Sequence, residues 1–266
     1  MLGWPIDFGA YFICRTLHTL GIWQVTILGS KPKWRLNQEE WSQWKPAHTR
    51  VDPEDGVLEV SLPSDKEGGL TAVGGSMVVS NHMSNIDGFL LKACFQPMTT
   101  KALIKSGVIK APFVGQLLWL SGQCFVWGNR RGSGVKDKDK TYSSCAEAIC
   151  NNVPVICFPE GTRRMFGRMN PFKLGMIGAA IDYEWPIHVS IIHGSHRAWP
   201  PRELLVNRHP IYVKFADYVI IPRRGLDTAD SMANAIRRRM LRLMLDVPGH
   251  DPVVTQPTLI LLPLSP

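Results

Sequence analysis

The stretch SMVVSNHMSNIDGFLLKAC, residues 76–94, decides the reading of the fold. It opens on a short apolar run, residues 76–80, that reads as a buried strand. A polar loop follows, and from about Asn85 to Cys94 the apolar residues recur at helical spacing. The same strand, loop and helix succession continues along the chain. KALIK (101–105), CFVW (124–127), VPVICF (153–158), HVSII (188–192) and IYVKFAD (211–217) read as strands, with a shorter one in VLEVSL (57–62). Residues 112–120, 140–151, 173–182 and 228–246 read as helices, the first opening on Pro112, which suits a first helical turn. Continuous apolar strands alternating with helices imply an α/β domain, with a mostly parallel, mixed sheet covered by helices on both faces. No repeat and no Gly/Ser-rich linker divides it. The expected organisation is an N-terminal segment, 1–45, a single α/β domain, 46–250, and a short tail, 251–266.

Outward from this frame, composition narrows the partners. The chain is 45% hydrophobic and 20% charged, an ordinary globular balance that excludes a disordered or fibrous protein. Thirty Lys and Arg against 22 Asp and Glu leave a formal charge of +8. That excess favours nucleic acid, phosphate esters or an anionic membrane surface without choosing among them. Cys14, Cys94, Cys124, Cys145, Cys150 and Cys157 form no C-x-x-C pair and read as free thiols in a reducing compartment.

No signal peptide and no apolar run of 18 residues is legible, so no spanning helix is expected. Residues 8–29 are apolar but interrupted by Arg15, His18 and Gln24. They read as a helix in the membrane interface or a re-entrant pair, with a core helix as the alternative. Trp4, Trp23, Trp34, Trp41 and Trp44, near Lys31, Lys33 and Arg35, have the composition of a headgroup boundary. The last helix carries Arg237, Arg238, Arg239 and Arg242, read as a solvated basic face or a second contact with anionic lipid. The tail TLILLPLSP is too short to span.

Three loops follow strands, where open α/β sheets gather functional groups. In SNHMSNIDGF (80–89), His82 and Asp87 are five apart, so a carboxylate in the first helical turn can reach back to an imidazole and hold one tautomer. Ser84 and Asp87 equally fit a helix-capping pattern. In FPEGTRR (158–164), Thr162, Arg163 and Arg164 surround a glycine turn, with Lys173 following in PFKLG (171–175), a set suited to a phosphate. In WGNRRGSG (127–134), Arg130 and Arg131 sit among glycines without the lysine of a P-loop. His188, His193 and His196 match no standard zinc spacing, so no metal is expected.

Together these loops resemble the glycerolipid acyltransferase family that includes the lysophosphatidate acyltransferases. NHMSNID resembles its N-H-x-x-x-x-D block, FPEGTR with FKLG its E-G-T-R block, Lys101 to FVWGNRR its second block, and WPIHVSI its proline-centred block. The resemblance covers about residues 57–222. It implies His82 as general base, Asp87 as its orienting partner, and Glu160, Gly161, Thr162 and Arg163 as ligands of the acceptor's glycerol phosphate. Lys173, Arg130 and Arg131 are expected to add charge there, and Pro186 to shape the acyl-donor side. Trp127 and Gly128 stand where the second block usually has Asp and Arg, leaving lysophosphatidate, glycerol 3-phosphate or another lysophospholipid as the acceptor. The implied donor is acyl-CoA or acyl carrier protein, with no cofactor, no nucleic acid, and a place on the cytoplasmic face of a membrane.

Overall fold

The computed structural model describes residues 4–29, 32–35, 48–62, 70–72, 74–96, 98–127, 135–163, 169–201, 203 and 205–249. Its centre is a nine-stranded mixed sheet. In chain order the strands are β1 (Trp23–Leu28), β2 (Pro32–Arg35), β3 (Thr49–Val51), β4 (Leu58–Ser61), β5 (Leu70–Ala72), β6 (Met77–Val79), β7 (Lys101–Lys105), β8 (Cys124–Val126), β9 (Val155–Cys157), β10 (Ile187–His193) and β11 (His209–Ile221). Across the sheet the order is β3-β4-β11-β10-β6-β9-β7-β8, with β1 pairing β11 and with β2 and β5 forming a separate pair. Strands β10, β6, β9, β7 and β8 run parallel to one another, while β11 is antiparallel to both β10 and β4.

Helices α1 (Trp4–Thr19) and α2 (Asp87–Cys94) cover one face. Helices α4 (Val135–Cys150), α5 (Leu174–Asp182) and α7 (Ala229–Leu245) cover the other. Short helices α3 (Val114–Leu120) and α6 (Ser195–Ala198) follow β7 and β10, α3 after a 3-10 turn at Ser106–Lys110. The two cores follow from strand alternation. Met77 and Val79 point to the α5 and α7 side and Val78 to the α1 and α2 side, and all three are fully buried.

The expected α/β architecture is present, and three expectations change. First, residues 8–29 are not one helix. α1 stops at Thr19, the chain turns at Gly21 (φ +64°), and β1 joins the sheet beside β11. Trp23 is fully buried beside Trp199, with ring centroids 6.4 Å apart, so it is a core residue and not a headgroup anchor. α1 itself is bolted down through Asp7. Lys92 Nζ donates to Asp7 Oδ1 at 2.7 Å and to Thr100 O at 2.8 Å, and the Thr100 N–H donates to Asp7 Oδ2 at 3.1 Å.

Second, the basic stripe of α7 is drawn into ion pairs and carbonyl contacts instead of standing free for lipid, with the Arg238 and Arg242 side chains still 40% and 46% exposed. Arg239 is buried, donating to Glu59 Oε1 at 2.6 Å and Asp55 Oδ2 at 2.7 Å, with Asp52 at 3.3 Å. Arg238 pairs with Asp55 and Arg242 with Glu54, while Arg237 donates to the carbonyls of Asn170 and Met169. Third, residues 112–120 begin as a turn: Phe113 adopts φ +59° and the helix starts one residue later. No described helix is long and apolar enough to cross a membrane. All six cysteines are free thiols; Cys150 is exposed and the other five are buried. Trp41, Trp44, Arg130, Arg131, Arg164 and the tail 251–266 lie outside the described residues.

Candidate active site

At the end of β6 the backbone is gripped on both sides. The Ser80 N–H donates to Cys157 O of β9 at 3.1 Å. Asn81 spans to β10, its Nδ2 donating to Ile192 O and its Oδ1 accepting the Ile192 N–H, both at 2.8 Å. This clamp aims the next residue. His82 Nδ1 lies 2.9 Å from Asp87 Oδ2, and the same oxygen accepts the N–H of Met83 at 2.6 Å and of Ser84 at 2.7 Å. One oxygen thus gathers the backbone donors before α2 and holds the imidazole, while the capping box expected from Ser84 is not formed, since Ile86 is the N-cap and makes no side-chain cap hydrogen bond. Because a carboxylate only accepts, Nδ1 carries the hydrogen and Nε2 is left with its lone pair. Asp87 is fully buried, whereas the His82 side chain is 21% exposed. Phe158 stacks on the ring at 4.3 Å and fixes its plane.

β9 runs beside β6 and delivers the second loop to the same edge. Glu160 is buried, and both its oxygens are occupied. Oε1 accepts the His82 N–H at 2.8 Å and Oε2 the Asn170 N–H at 2.7 Å. Expected as a phosphate ligand, Glu160 is instead a brace joining the His82 loop to the segment after β9. The physical reason is direct, since a buried carboxylate satisfied by two amides has no attraction for an anionic headgroup. Burial pushes its carboxyl above the usual range, partly offset by those two amides.

Gly161 turns with φ +64°, and a Cβ there would come within 2.8 Å of Lys173 Cε and Nζ. The Lys173 N–H donates to Pro159 O at 2.8 Å, folding the second half of the loop over the first. Thr162, Arg163 and Lys173 are exposed there, which leaves Arg163 and Lys173 as two cations available to an anion. Pro186 is not brought to this edge. It precedes β10, and its carbonyl accepts the N–H of Met77, the first residue of β6, so it sits at the amino end of the strands whose carboxyl ends carry His82. Asn81, Phe158 and Asn170 received no role from the sequence. Asn81 and Phe158 act across strands and Asn170 within the loop after β9, and no local spacing signals them.

Residues 66–193 match the family described as Acyltransferase. That stretch of the chain is similar to the Acyltransferase family. Its relatives include the 1-acyl-sn-glycerol-3-phosphate acyltransferase of Limnanthes douglasii, 32% identical over 140 residues, covering 53% of this chain and 48% of the relative. The Escherichia coli K12 protein of the same name is 31% identical over 143 residues, covering 52% and 54% respectively. The chain thus spans about half the length of the curated relatives it matches. In fold, the chain resembles the crystal structure of the 1-acyl-sn-glycerophosphate (LPA) acyltransferase PlsC from Thermotoga maritima. The TM-score is 0.59 at 19% identity, covering 89% of this chain and 77% of that one.

Proposed function

We infer that the protein transfers a fatty acyl group from an acyl thioester to a hydroxyl of lysophosphatidate, giving phosphatidate. The observation that carries this reading is the His82 ring, held through Nδ1 by buried Asp87 while Nε2 stays free at a partly open edge. Nε2 takes the proton of the acceptor hydroxyl as the oxygen attacks the thioester carbonyl. The tetrahedral intermediate collapses, the thiolate leaves, and the imidazolium returns the proton to it. Asp87 stabilises the imidazolium in between without itself taking the proton. The thioester brings its own activation, so the reaction as written needs neither a covalent enzyme intermediate nor a cofactor. Arg163 and Lys173 hold the acceptor phosphate, and Gly161 lets Lys173 lie across the turn.

The names of the relatives support lysophosphatidate as acceptor and phospholipid synthesis as the setting. The donor is acyl-CoA or acyl carrier protein, and the enzyme works at a membrane surface on the cytoplasmic side. Exposed Phe12, Ile13 and Leu20 on and just after α1 support the membrane placement. The test is acylation by the full chain in detergent, with labelled acyl-CoA or acyl carrier protein against lysophosphatidate, glycerol 3-phosphate and lysophosphatidylcholine. Lysophosphatidate is expected to be the best acceptor. A Lys173→Gln variant should raise its KM on the order of tenfold with little change in kcat, the pattern of lost ground-state binding. Absence of turnover with every acceptor and both donors would overturn the reading.

A further inference from the structure

Residues 88–136 contain no Asp or Glu, although they hold Lys92, Lys101, Lys105, Lys110, Arg130, Arg131 and Lys136. Within this acid-free stretch β7 leads into the 3-10 turn and α3. α3 packs on the 3-10 turn so closely that a Cβ on Gly115 would meet Ile109 O at 2.2 Å, which keeps the two short elements together as one unit. The outer side of that unit is apolar and uncovered. Phe113 is 83% exposed, and Leu117, Trp119 and Leu120 are each more than half exposed. Positions 113, 117 and 120 follow one another at helical spacing, and Pro112, Phe113, Gln116 and Leu117 line a shallow groove. Lys110 is exposed on the same unit, and Lys105 is exposed at the end of β7 just before it. Four exposed large apolar side chains on so short a segment are far from the scattered single residues of an ordinary surface.

The sheet topology fixes where this patch lies. β7, β9 and β6 are parallel neighbours, so the 3-10 turn leaves the sheet at the same edge as His82 and Glu160, and α3 then runs back along the flank of the sheet to Ser121, whose carbonyl accepts from Lys101 Nζ at the start of β7. Trp127, 38% exposed, follows parallel β8 at that edge too. β1 runs antiparallel to β10 through their shared neighbour β11, so exposed Leu20, just before β1, also belongs to this edge.

We propose that the unit 106–120 is a membrane-docking wedge. Phe113, Leu117, Trp119 and Leu120 enter the boundary between headgroups and acyl chains of an anionic bilayer, and Lys105 and Lys110 bind its headgroups. The charge pattern selects the occupant. Cations with no acid for 49 residues suit a negatively charged surface, and the tryptophan suits its interface. Docked this way, the enzyme faces His82 toward the layer that holds lipid substrate. The inference deepens the lipid-substrate reading above and rests on it for its purpose, but its test needs no turnover.

The full-length protein is cosedimented with vesicles of phosphatidylcholine alone and of phosphatidylcholine with phosphatidylglycerol, alongside Phe113→Ser/Leu117→Ser and Lys105→Gln/Lys110→Gln. Binding of the wild type is expected on anionic vesicles. The apolar pair should weaken it on the order of tenfold or more on both vesicle types, because partitioning scales with apolar area inserted. The lysine pair should weaken it on the order of tenfold on anionic vesicles only, and salt should mimic that change. Both variants should keep the wild-type melting temperature and turnover of detergent-dispersed lysophosphatidate. Vesicle binding equal to wild type in both variants would overturn the wedge. So would unchanged binding with a raised KM for the acyl thioester, which would make the patch a donor-chain site. Vesicle binding that behaves as expected in a protein without transferase activity would sink the enzymatic reading and leave the wedge standing.

Discussion

Two clusters of buried charge sit in the same molecule and are built to opposite ends. Around Arg239, a guanidinium with no exposed side-chain surface meets Asp52, Asp55 and Glu59, and further arginines close the rim. The buried guanidinium of Arg239 is matched by acids on every side, although Arg238 Nε on the rim is buried without a partner among the described residues. Around His82, one carboxylate is equally buried, with all three donors on Oδ2 and none among the described residues on Oδ1, and the imidazole it holds is partly open and keeps a free nitrogen. A network closed on itself is a fastener. A network that ends in an unsatisfied, solvent-reachable base is a candidate for chemistry.

That contrast breaks if the two clusters respond alike to mutation. The largest effect is expected at His82. His82→Ala should lower kcat by about 10²–10⁴-fold, as loss of a general base does, while two backbone donors keep Asp87 paired and the urea midpoint barely moves. Arg239→Ala should do the reverse. It removes the one buried cation shared by Asp52, Asp55 and Glu59, leaving them only the partly exposed Arg50, Arg238 and Arg242, and should cost about 3–5 kcal/mol of stability in urea unfolding, with kcat per folded molecule unchanged. A His82→Ala protein that fails to fold, or an Arg239→Ala protein of normal stability, would erase the distinction.

Glu160 lies between the two cases, a fastener inside the site. Glu160→Gln replaces one acceptor by an amide N–H that must face the backbone N–H of His82 or Asn170. It should cost about 1–3 kcal/mol of stability and lower kcat more than it raises the KM for lysophosphatidate, because the His82 loop shifts while Arg163 and Lys173 remain. A pure KM effect would instead make Glu160 a headgroup ligand.

The smallest effect is acid dependence. For Asp55, burial alone would raise the pKa, but hydrogen bonds from Arg239 and Arg238 outweigh it and hold the carboxyl well below the usual range. A depressed folded pKa adds stability in full above the unfolded value, about 4, and loses it as pH falls below. Glu160 is raised, so it has the opposite sign and is not the source of acid loss. The urea midpoint should therefore stay level from neutral pH to about 5 and drop below about 4, with a shallower drop in Arg239→Ala.

Much of this was legible in the chain itself. Val78 and Val79 mark a buried strand, and the spacing of His82 and Asp87 across a strand-to-helix loop needs only local geometry to bring them together. β1 was hidden because WQVTIL is a short apolar run, ambiguous between strand and helix, and it continues directly from a helical segment. Glu160 was expected as a headgroup ligand because the family resemblance groups it with Gly161, Thr162 and Arg163. Its partners lie 78 residues earlier and 10 later. Arg239 looked solvated because its acids come 180 to 187 residues before it.

By itself, then, the sequence determined β4, the strands β6 to β11, the helices α2 to α5 and α7, the α/β class and the pairing of His82 with Asp87, all properties of hydrophobic period and of reach within a few residues. Only the tertiary structure decided which charges are consumed and which remain for a ligand. Thirty basic residues look alike along a chain, and their availability depends on which acids the folded sheet brings within about 3 Å of them.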